Sequence, residues 1–212
     1  MERKEISKSV LKRLPVYLSY LRSLPDGSAT YISATTLANA LGMGEVQVRK
    51  DLAMVSDGGR PKIGYLRESL MDDISQFLGY DNTTDAILVG AGKLGQALLG
   101  YSGFDAYGLN ILAAFDVNPV PGKEDSEKPI LPMEELEVFC RTNKILMGII
   151  TVPTNHAQEV CDKLIACGIK AIWNFVPTHL DVPENILVQN ENMATSLAVL
   201  SMHLQAQIKE KK

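Results

Sequence analysis

Residues 86–95 read Ala-Ile-Leu-Val-Gly-Ala-Gly-Lys-Leu-Gly, an apolar run that ends in three glycines spaced G-x-G-x-x-G. A tetrapeptide with no polar alternation suits a strand buried on both faces, and such strands belong to parallel sheets covered by helices. Each glycine has a task where that strand turns into a helix. Gly90 takes the tight bend, Gly92 lets the backbone approach a pyrophosphate, and Gly95 lets the helix pack closely on the sheet. The free N–H groups of the helix start, over Ala91, Lys93 and Leu94, then face the phosphates with a partial positive charge behind them.

Outward from this loop the pattern repeats. Asn110-Ile-Leu-Ala-Ala-Phe115 is a second apolar run ending at Asp116, and runs at 145–152 and 171–175 alternate with helical segments at 133–142 and 155–167. Strands separated by helices describe an α/β fold with a doubly wound parallel sheet. Asp116 lies 21 residues beyond Gly95, at a strand end, where a carboxylate accepts hydrogen bonds from an adenosine ribose and repels a 2′-phosphate. Neither Arg nor Lys occurs from Val117 to Pro121, so NAD(H) is expected in preference to NADP(H).

The chain lacks an obvious apparatus for hydride chemistry. None of the seven tyrosines is followed by Lys four residues later. His156 stands close behind Thr151-Val-Pro153, near where a dinucleotide lies, but a surface position at a helix start is favoured over a general base. His179 and His203 read as structural or solvated. No metal-ligand spacing occurs, since Cys140, Cys161 and Cys167 are isolated and no HxxxH or HExxH is present. A nicotinamide site without a proton-transfer partner points to sensing rather than turnover. The rival is an NAD-dependent oxidoreductase with a helical N-terminal appendage.

Ahead of the glycine loop the sequence is helical. Ile6, Val10, Leu14, Leu18 and Leu21 recur at helical spacing, predicting an amphipathic helix over 5–23 that Pro15 bends and Pro25-Asp26-Gly27 ends. Ser33 is a good N-cap for a short helix over Leu37 to Leu41, and Gly42-Met43-Gly44 breaks the chain before a third helix from Glu45 to Val55. This is a helix-turn-helix pattern. On the third helix Val48, Leu52 and Val55 share the inner face, while Val46, Gln47, Lys50 and Met54 point outward with Arg49 on the flank. Residues 56–65, Ser-Asp-Gly-Gly-Arg-Pro-Lys-Ile-Gly-Tyr, suit the wing of a winged helix. Residues 67–79 follow as a linking helix, and 80–84 as a short hinge.

The chain has 212 residues, 46% apolar and 22% charged, ordinary globular composition for one large or two small domains. Its net charge of −4 hides an asymmetry: residues 1–79 carry 11 Lys and Arg against 9 Asp and Glu, whereas the remainder is net −6. Between Gln47 and Arg67 lie Arg49, Lys50, Arg60, Lys62 and Arg67 against Asp51 and Asp57, a local cationic patch of the kind a phosphate backbone attracts. An odd cysteine count without a CxxC pair fits a reduced compartment, and no apolar run reaches membrane-spanning length, so the cytoplasm is the expected location.

These residues together resemble the Rex family of redox-sensing transcriptional repressors, winged-helix/Rossmann homodimers that bind DNA and respond to the NADH/NAD⁺ ratio. The resemblance spans nearly the whole chain. It rests on Lys12-Arg-Leu-Pro-Val-Tyr17, Val48-Arg-Lys-Asp-Leu52, Gly64-Tyr65, Val89-Gly-Ala-Gly-Lys-Leu-Gly95, Ala114-Phe-Asp116, Thr151-Val-Pro153 and Asn174-Phe175 with Pro177. It implies a DNA-binding domain over 1–79, an NAD(H)-binding Rossmann domain over 80–192, and a C-terminal helix over 193–212 swapped in the dimer, with Leu197, Leu200 and Leu204 as its apolar stripe. Arg49 and Lys50 would enter the major groove of operator DNA, and Lys62 and Tyr65 would meet phosphate or minor groove, with Ser33, Gln47 and Arg60 also facing DNA. Val117, Thr151, Val152, Pro153, Asn174, Phe175 and Tyr101 would join the glycine loop and Asp116 around the cofactor.

A redox sensor must distinguish two ligands by differential interaction, and the oxidised nicotinamide ring carries a positive charge that the reduced ring lacks. The family commonly uses a tyrosine, an aspartate before the swapped helix and an arginine on the first helix. Tyr101 matches the first, but Asn192 and Ser19 occupy the two charged positions. The switch then runs through neutral hydrogen bonds from Tyr101 and Asn192, or the chain is a DNA-binding regulator with weak redox discrimination. In the wing, Val55-Ser56 and Lys62 stand where a Phe-Gly and a glycine are usual.

Overall fold

The computed structural model describes residues 7–25, 27, 29–119 and 128–210, Glu210 by its backbone alone. Two compact units emerge: Met1–Asn82 with Ala106–Gly108, and Thr83–Asp105 with Leu109–Lys212. No described helix is long and apolar enough to cross a membrane.

The first unit opens with α1 (Lys8–Ser23), whose Ser7 cap accepts from the Val10 N–H. Residues 5 and 6, expected in this helix, lie outside the described residues. Pro15 sits inside α1, and Val10, Leu14, Tyr17, Leu18 and Leu21 form its buried stripe. Then come β1 (Tyr31–Ile32), α2 (Ala34–Leu41), α3 (Glu45–Val55), β2 (Tyr65–Leu66) and α4 (Arg67–Leu78). The turn between α2 and α3 works because Gly42 takes the left-handed conformation, φ 63°, letting chain direction reverse within a few residues. β1 and β2 pair antiparallel, Tyr31 opposite Leu66 and Ile32 opposite Tyr65, and the wing loops out ahead of β2.

A charged junction in this unit was not legible in advance. Asp51, counted with the acidic surface, is 3% exposed. It lies on the inner face of α3 between Val48 and Leu52, and its carboxylate accepts from Arg13 Nε at 2.7 Å, Arg13 NH2 at 2.9 Å and the Tyr17 hydroxyl at 2.8 Å. A buried carboxylate is tolerable only when paired and fully hydrogen-bonded, which the fork of Arg13 and the phenol achieve. Burial, reinforced by Asp51, pushes the Tyr17 phenol up to about 12, and hydrogen bonding to Asp51 raises the Arg13 guanidinium above its ordinary value. Two of the motifs behind the family resemblance thus meet in one ion pair joining α1 to α3.

The second unit is a six-stranded, all-parallel sheet. Its elements run β3 (Thr84–Val89), α5 (Lys93–Leu99), a 3-10 turn Ser102–Tyr107, β4 (Leu109–Asp116), β5 (Ile130–Pro132), α6 (Leu136–Asn143), β6 (Met147–Ile150), α7 (Ala157–Ala166), β7 (Ala171–Asn174), β8 (Leu187–Asn190) and α8 (Met193–Glu210). The order across the sheet is β5-β4-β3-β6-β7-β8, which in chain order is the 3-2-1-4-5-6 arrangement of dinucleotide-binding domains. Alternation along β3 feeds two layers: Ile87 and Val89 pack with α6 and α7, Ala86 and Leu88 with Leu99 of α5 and Ile149.

The sequence reading missed β5 and β8. Both are edge strands: β5 has three half-buried residues and ends at Pro132, and β8 is mostly exposed. Neither needs the continuous apolar run that betrays a central strand. Pairing also sets the site. Phe115, Val89, Ile150, Asn174 and Asn190 lie on one register line across the sheet, so the residues that follow each strand emerge along one carboxyl edge.

Asp51→Ala removes the carboxylate that Arg13 and the buried Tyr17 phenol share and is expected to cost about 1–3 kcal/mol of unfolding free energy. Urea denaturation followed by circular dichroism checks this, and Arg13→Met combined with Asp51→Leu is expected to cost less than Asp51→Ala alone.

Candidate functional site

Gly90 is the centre of the carboxyl-edge site. Its φ of 102° is a left-handed conformation, and a Cβ there would lie 2.8 Å from the Thr151 carbonyl carbon. The Thr151 hydroxyl donates to the Gly90 carbonyl at 2.7 Å, and the Thr151 N–H donates to the Val89 carbonyl at 2.9 Å. A Cβ on Gly95 would overlap the Gly90 carbonyl, so that glycine is what allows α5 to sit against the loop. Gly92 differs: nothing lies within 4 Å of where its Cβ would point. Two glycines are therefore filled by the protein's own backbone and the third opens on free space, the arrangement a pyrophosphate requires.

Asp116 closes the loop from β4. Its carboxylate accepts from the Ala91 N–H at 2.7 Å and from the Asn118 N–H at 2.9 Å. A carboxylate offers about four lone-pair positions, so capacity remains for ribose hydroxyls. Residues 120 and 121, included in the NAD(H) expectation, lie outside the described residues.

A cavity of about 670 Å³ spans this edge, bounded by Gly90, Gly92, Asp116, Val117, Thr151 and Val152. That volume is within the range of small-molecule and cofactor sites. Its remaining wall includes Met133, His156, Glu159, Val160 and Lys163, of which only His156 entered the sequence reading. Glu159, Val160 and Lys163 recur at helical spacing behind the cap residue His156, a signal that identifies one face of α7 without saying where it points. Lys163 Nζ lies 2.8 Å from Glu159, which holds that carboxyl below its usual range and partly neutralises the cation. The geometry fits an adenosine dinucleotide: open space at Gly92 for phosphates, Asp116 for ribose, and apolar walls at Val117, Val152 and Val160.

Asn174 and Phe175, both expected at the cofactor, have side chains engaged within the protein. Asn174 is fully buried, and its amide donates to Val176 O, Thr178 O and Asn190 Oδ1 while accepting from the Val176 N–H. It shapes the turn after β7 and has no free group for a ligand, because a buried amide must find its partners inside the protein. Phe175 packs on Trp173 with ring centroids 4.7 Å apart. Tyr101 is 55% exposed, its ring edge-on to Phe104 at 4.9 Å and lying against the backbone of Gly103. Asn192 caps α8 by accepting from the Thr195 N–H at 3.1 Å. Tyr101 and Asn192 belong to the second unit and Ser19, exposed on α1, to the first.

In the winged unit Gln47, Arg49, Lys50, Arg60 and Lys62 are exposed. Arg49 pairs with Glu45 one turn earlier, and Gln47, with its amide oxygen toward Arg13, accepts from that guanidinium at 2.8 Å. Arg60 lies 5.9 Å from the Tyr31 ring centroid. Ser33 is engaged as the α2 cap, accepting from the Thr36 N–H at 3.0 Å. Tyr65, expected to meet DNA, is 9% exposed, with its ring over Gly59. Strand alternation turns Leu66 outward and Tyr65 into the core, so this tyrosine supports the wing from beneath. Lys62 stands at φ 63°, which explains why a glycine suits the position.

Two family models match the chain, one described as putative DNA-binding protein N-terminus over residues 5–53 and one as CoA binding domain over residues 81–178. The redox-sensing transcriptional repressor Rex of Treponema denticola is 40% identical, the alignment covering 91% of this chain and 92% of that protein. The chain belongs to the Rex family. The crystal structure of RSP in complex with β-NAD⁺ and operator DNA superposes with a TM-score of 0.87 at 35% identity, over 98% of this chain and 96% of that one. RSP in complex with β-NADH gives 0.85 at 34% identity, over 99% and 100%. The Rex relatives thus agree with the observed pairing of an N-terminal DNA-binding domain with a Rossmann-like parallel sheet.

Lys62→Gly is expected to raise the unfolding free energy by about 1 kcal/mol, since glycine adopts the left-handed conformation without steric cost. Urea denaturation measures it, and no gain in midpoint would show that the wing does not hold Lys62 in that conformation.

Proposed function

We propose that this chain is a cytoplasmic homodimeric transcriptional repressor that binds operator DNA and is released by NADH. One observation carries the reading: a single chain joins an exposed cationic helix and wing to a parallel sheet whose glycine loop, Asp116 and cavity suit NAD(H). Membership of a family of named redox-sensing repressors supports it, as does RSP, a relative with structures holding NAD⁺ with operator DNA and NADH. Residues 1–79 serve as the DNA-binding domain, 80–192 as the cofactor domain and 193–212 as the dimerisation segment.

Within the cofactor domain, Gly90, Ala91, Gly92, Lys93, Leu94 and Gly95 cradle the pyrophosphate, Asp116 and Val117 hold the adenosine side, and Thr151, Val152 and Pro153 line the crossing. NAD(H) supplies no reaction here; its two forms differ by one charge, and Tyr101 and Asn192 register it through neutral hydrogen bonds. The capping role of Asn192 leaves its amide nitrogen to donate. Arg49 and Lys50 meet the major groove, and Arg60 and Lys62 meet phosphates near the wing.

The dimer rests on α8. Leu197, Leu200 and Leu204 are 63%, 65% and 55% exposed, and every side chain of the helix described is exposed. A stripe of that kind on an 18-residue helix needs an apolar partner, and a second copy supplies one reciprocally. The swapped helix that the family resemblance implies is consistent with this exposure.

A duplex carrying the operator, titrated with protein at several salt concentrations, is expected to show affinity falling steeply with salt, and NADH is expected to weaken binding more than NAD⁺ does. Equal affinity with and without NADH overturns the sensing reading. Leu197→Glu with Leu204→Glu is expected to convert the dimer to monomer in light scattering; an unchanged mass would place the interface elsewhere.

A further inference from the structure

Val46 is the second residue of α3 and remains 65% exposed. A β-branched apolar side chain gains nothing at an outward helix position in the monomer, where Ala, Lys or Glu form helix more readily. Lys50 follows one turn later on the same face and Met54, 43% exposed, one turn after that, with Gln47 alongside. The inward turn of Asp51 leaves Lys50 as the unpaired charge on the outward face of α3, since Arg49 pairs with Glu45, and the wing of the same unit carries Arg60 and Lys62 exposed. An apolar group beside that charge, raised on a helix that fits a groove, matches the major groove of duplex DNA. Phosphates flank that groove, and the apolar group projecting from its base edges is the C5 methyl of thymine. Recognition helices touch base edges with their N-terminal residues, which selects Val46 over Met54.

We propose that Val46 is a specificity-determining residue that reads a thymine methyl in the major groove, beside the base contacted by Lys50. This assignment rests on the DNA-binding reading above. It adds to that reading a sequence preference that cationic side chains alone do not supply, because phosphate contacts are blind to sequence.

Thymine-to-uracil replacement deletes the methyl and keeps the base pair, so it isolates the contact. A duplex selected by the full-length protein from a random pool would carry uracil at one thymine at a time, with affinities measured for the wild type, Val46→Ala and Met54→Ala. The wild type is expected to lose about fourfold at one thymine per half-site, the effect of one desolvated methyl. Val46→Ala is expected to bind the thymine duplex about fourfold more weakly and to ignore the replacement, whereas Met54→Ala keeps the response. Alanine is a better helix former than valine, so Val46→Ala is not expected to unfold α3. Wild-type indifference at every thymine overturns the assignment while leaving DNA binding intact. A methyl response that persists in Val46→Ala, or disappears in Met54→Ala, overturns it as well. Failure to retain any duplex from the pool overturns the DNA-binding reading and this assignment with it.

Discussion

The cofactor edge depends on how closely three chain segments approach the Gly90 carbonyl. Thr151 donates to it at 2.7 Å from the end of β6, Gly95 passes beneath it at the start of α5, and Asp116 holds the adjacent Ala91 N–H from the end of β4. No side chain larger than hydrogen fits at Gly90 or Gly95 without displacing backbone. Once that junction forms, the open side of Gly92 and the remaining lone pairs of Asp116 face the same cavity. Sheet register supplies the alignment, since neighbouring parallel strands end on one line.

The winged unit depends on a different kind of contact. Arg13, Tyr17 and Asp51 bring α1 and α3 together through a bidentate ion pair and a phenolic hydrogen bond, with the carboxylate and the phenol buried and the guanidinium at the rim. An apolar pair could bind the helices as tightly, but a forked guanidinium accepts a carboxylate in few orientations and so restricts the angle between them. Keeping Asp51 off the surface also makes the outward face of α3 more positive than its composition suggests. Packing and surface electrostatics are settled by one residue.

The cysteines illustrate the difference between composition and reactivity. Cys140 and Cys161 are buried, and desolvation pushes their thiols up to about 12 and about 11, while Cys167 is half-buried and raised for the same reason. Thiolate is the reactive form, so these positions behave as small apolar residues.

By itself the sequence determined the central strands, the glycine loop, Asp116 and the helix-turn-helix, because each is written in local chemistry: apolar runs, residues that tolerate left-handed backbone, and caps such as Ser33. Edge strands β5 and β8 were silent because a strand with a solvent side needs no distinctive composition. Burial, a property of distant segments closing over a residue, is likewise absent from the local sequence: it gives the Asn174 amide its internal partners and sets the Tyr65 ring against Gly59. Only the tertiary structure decided that Asp51 turns inward, that α7 and its cap lend Glu159, Val160, Lys163 and His156 to the cavity, and that α8 keeps its leucines uncovered. Those outcomes depend on which faces meet across long sequence separations, and one residue of helical rotation or strand register reverses them.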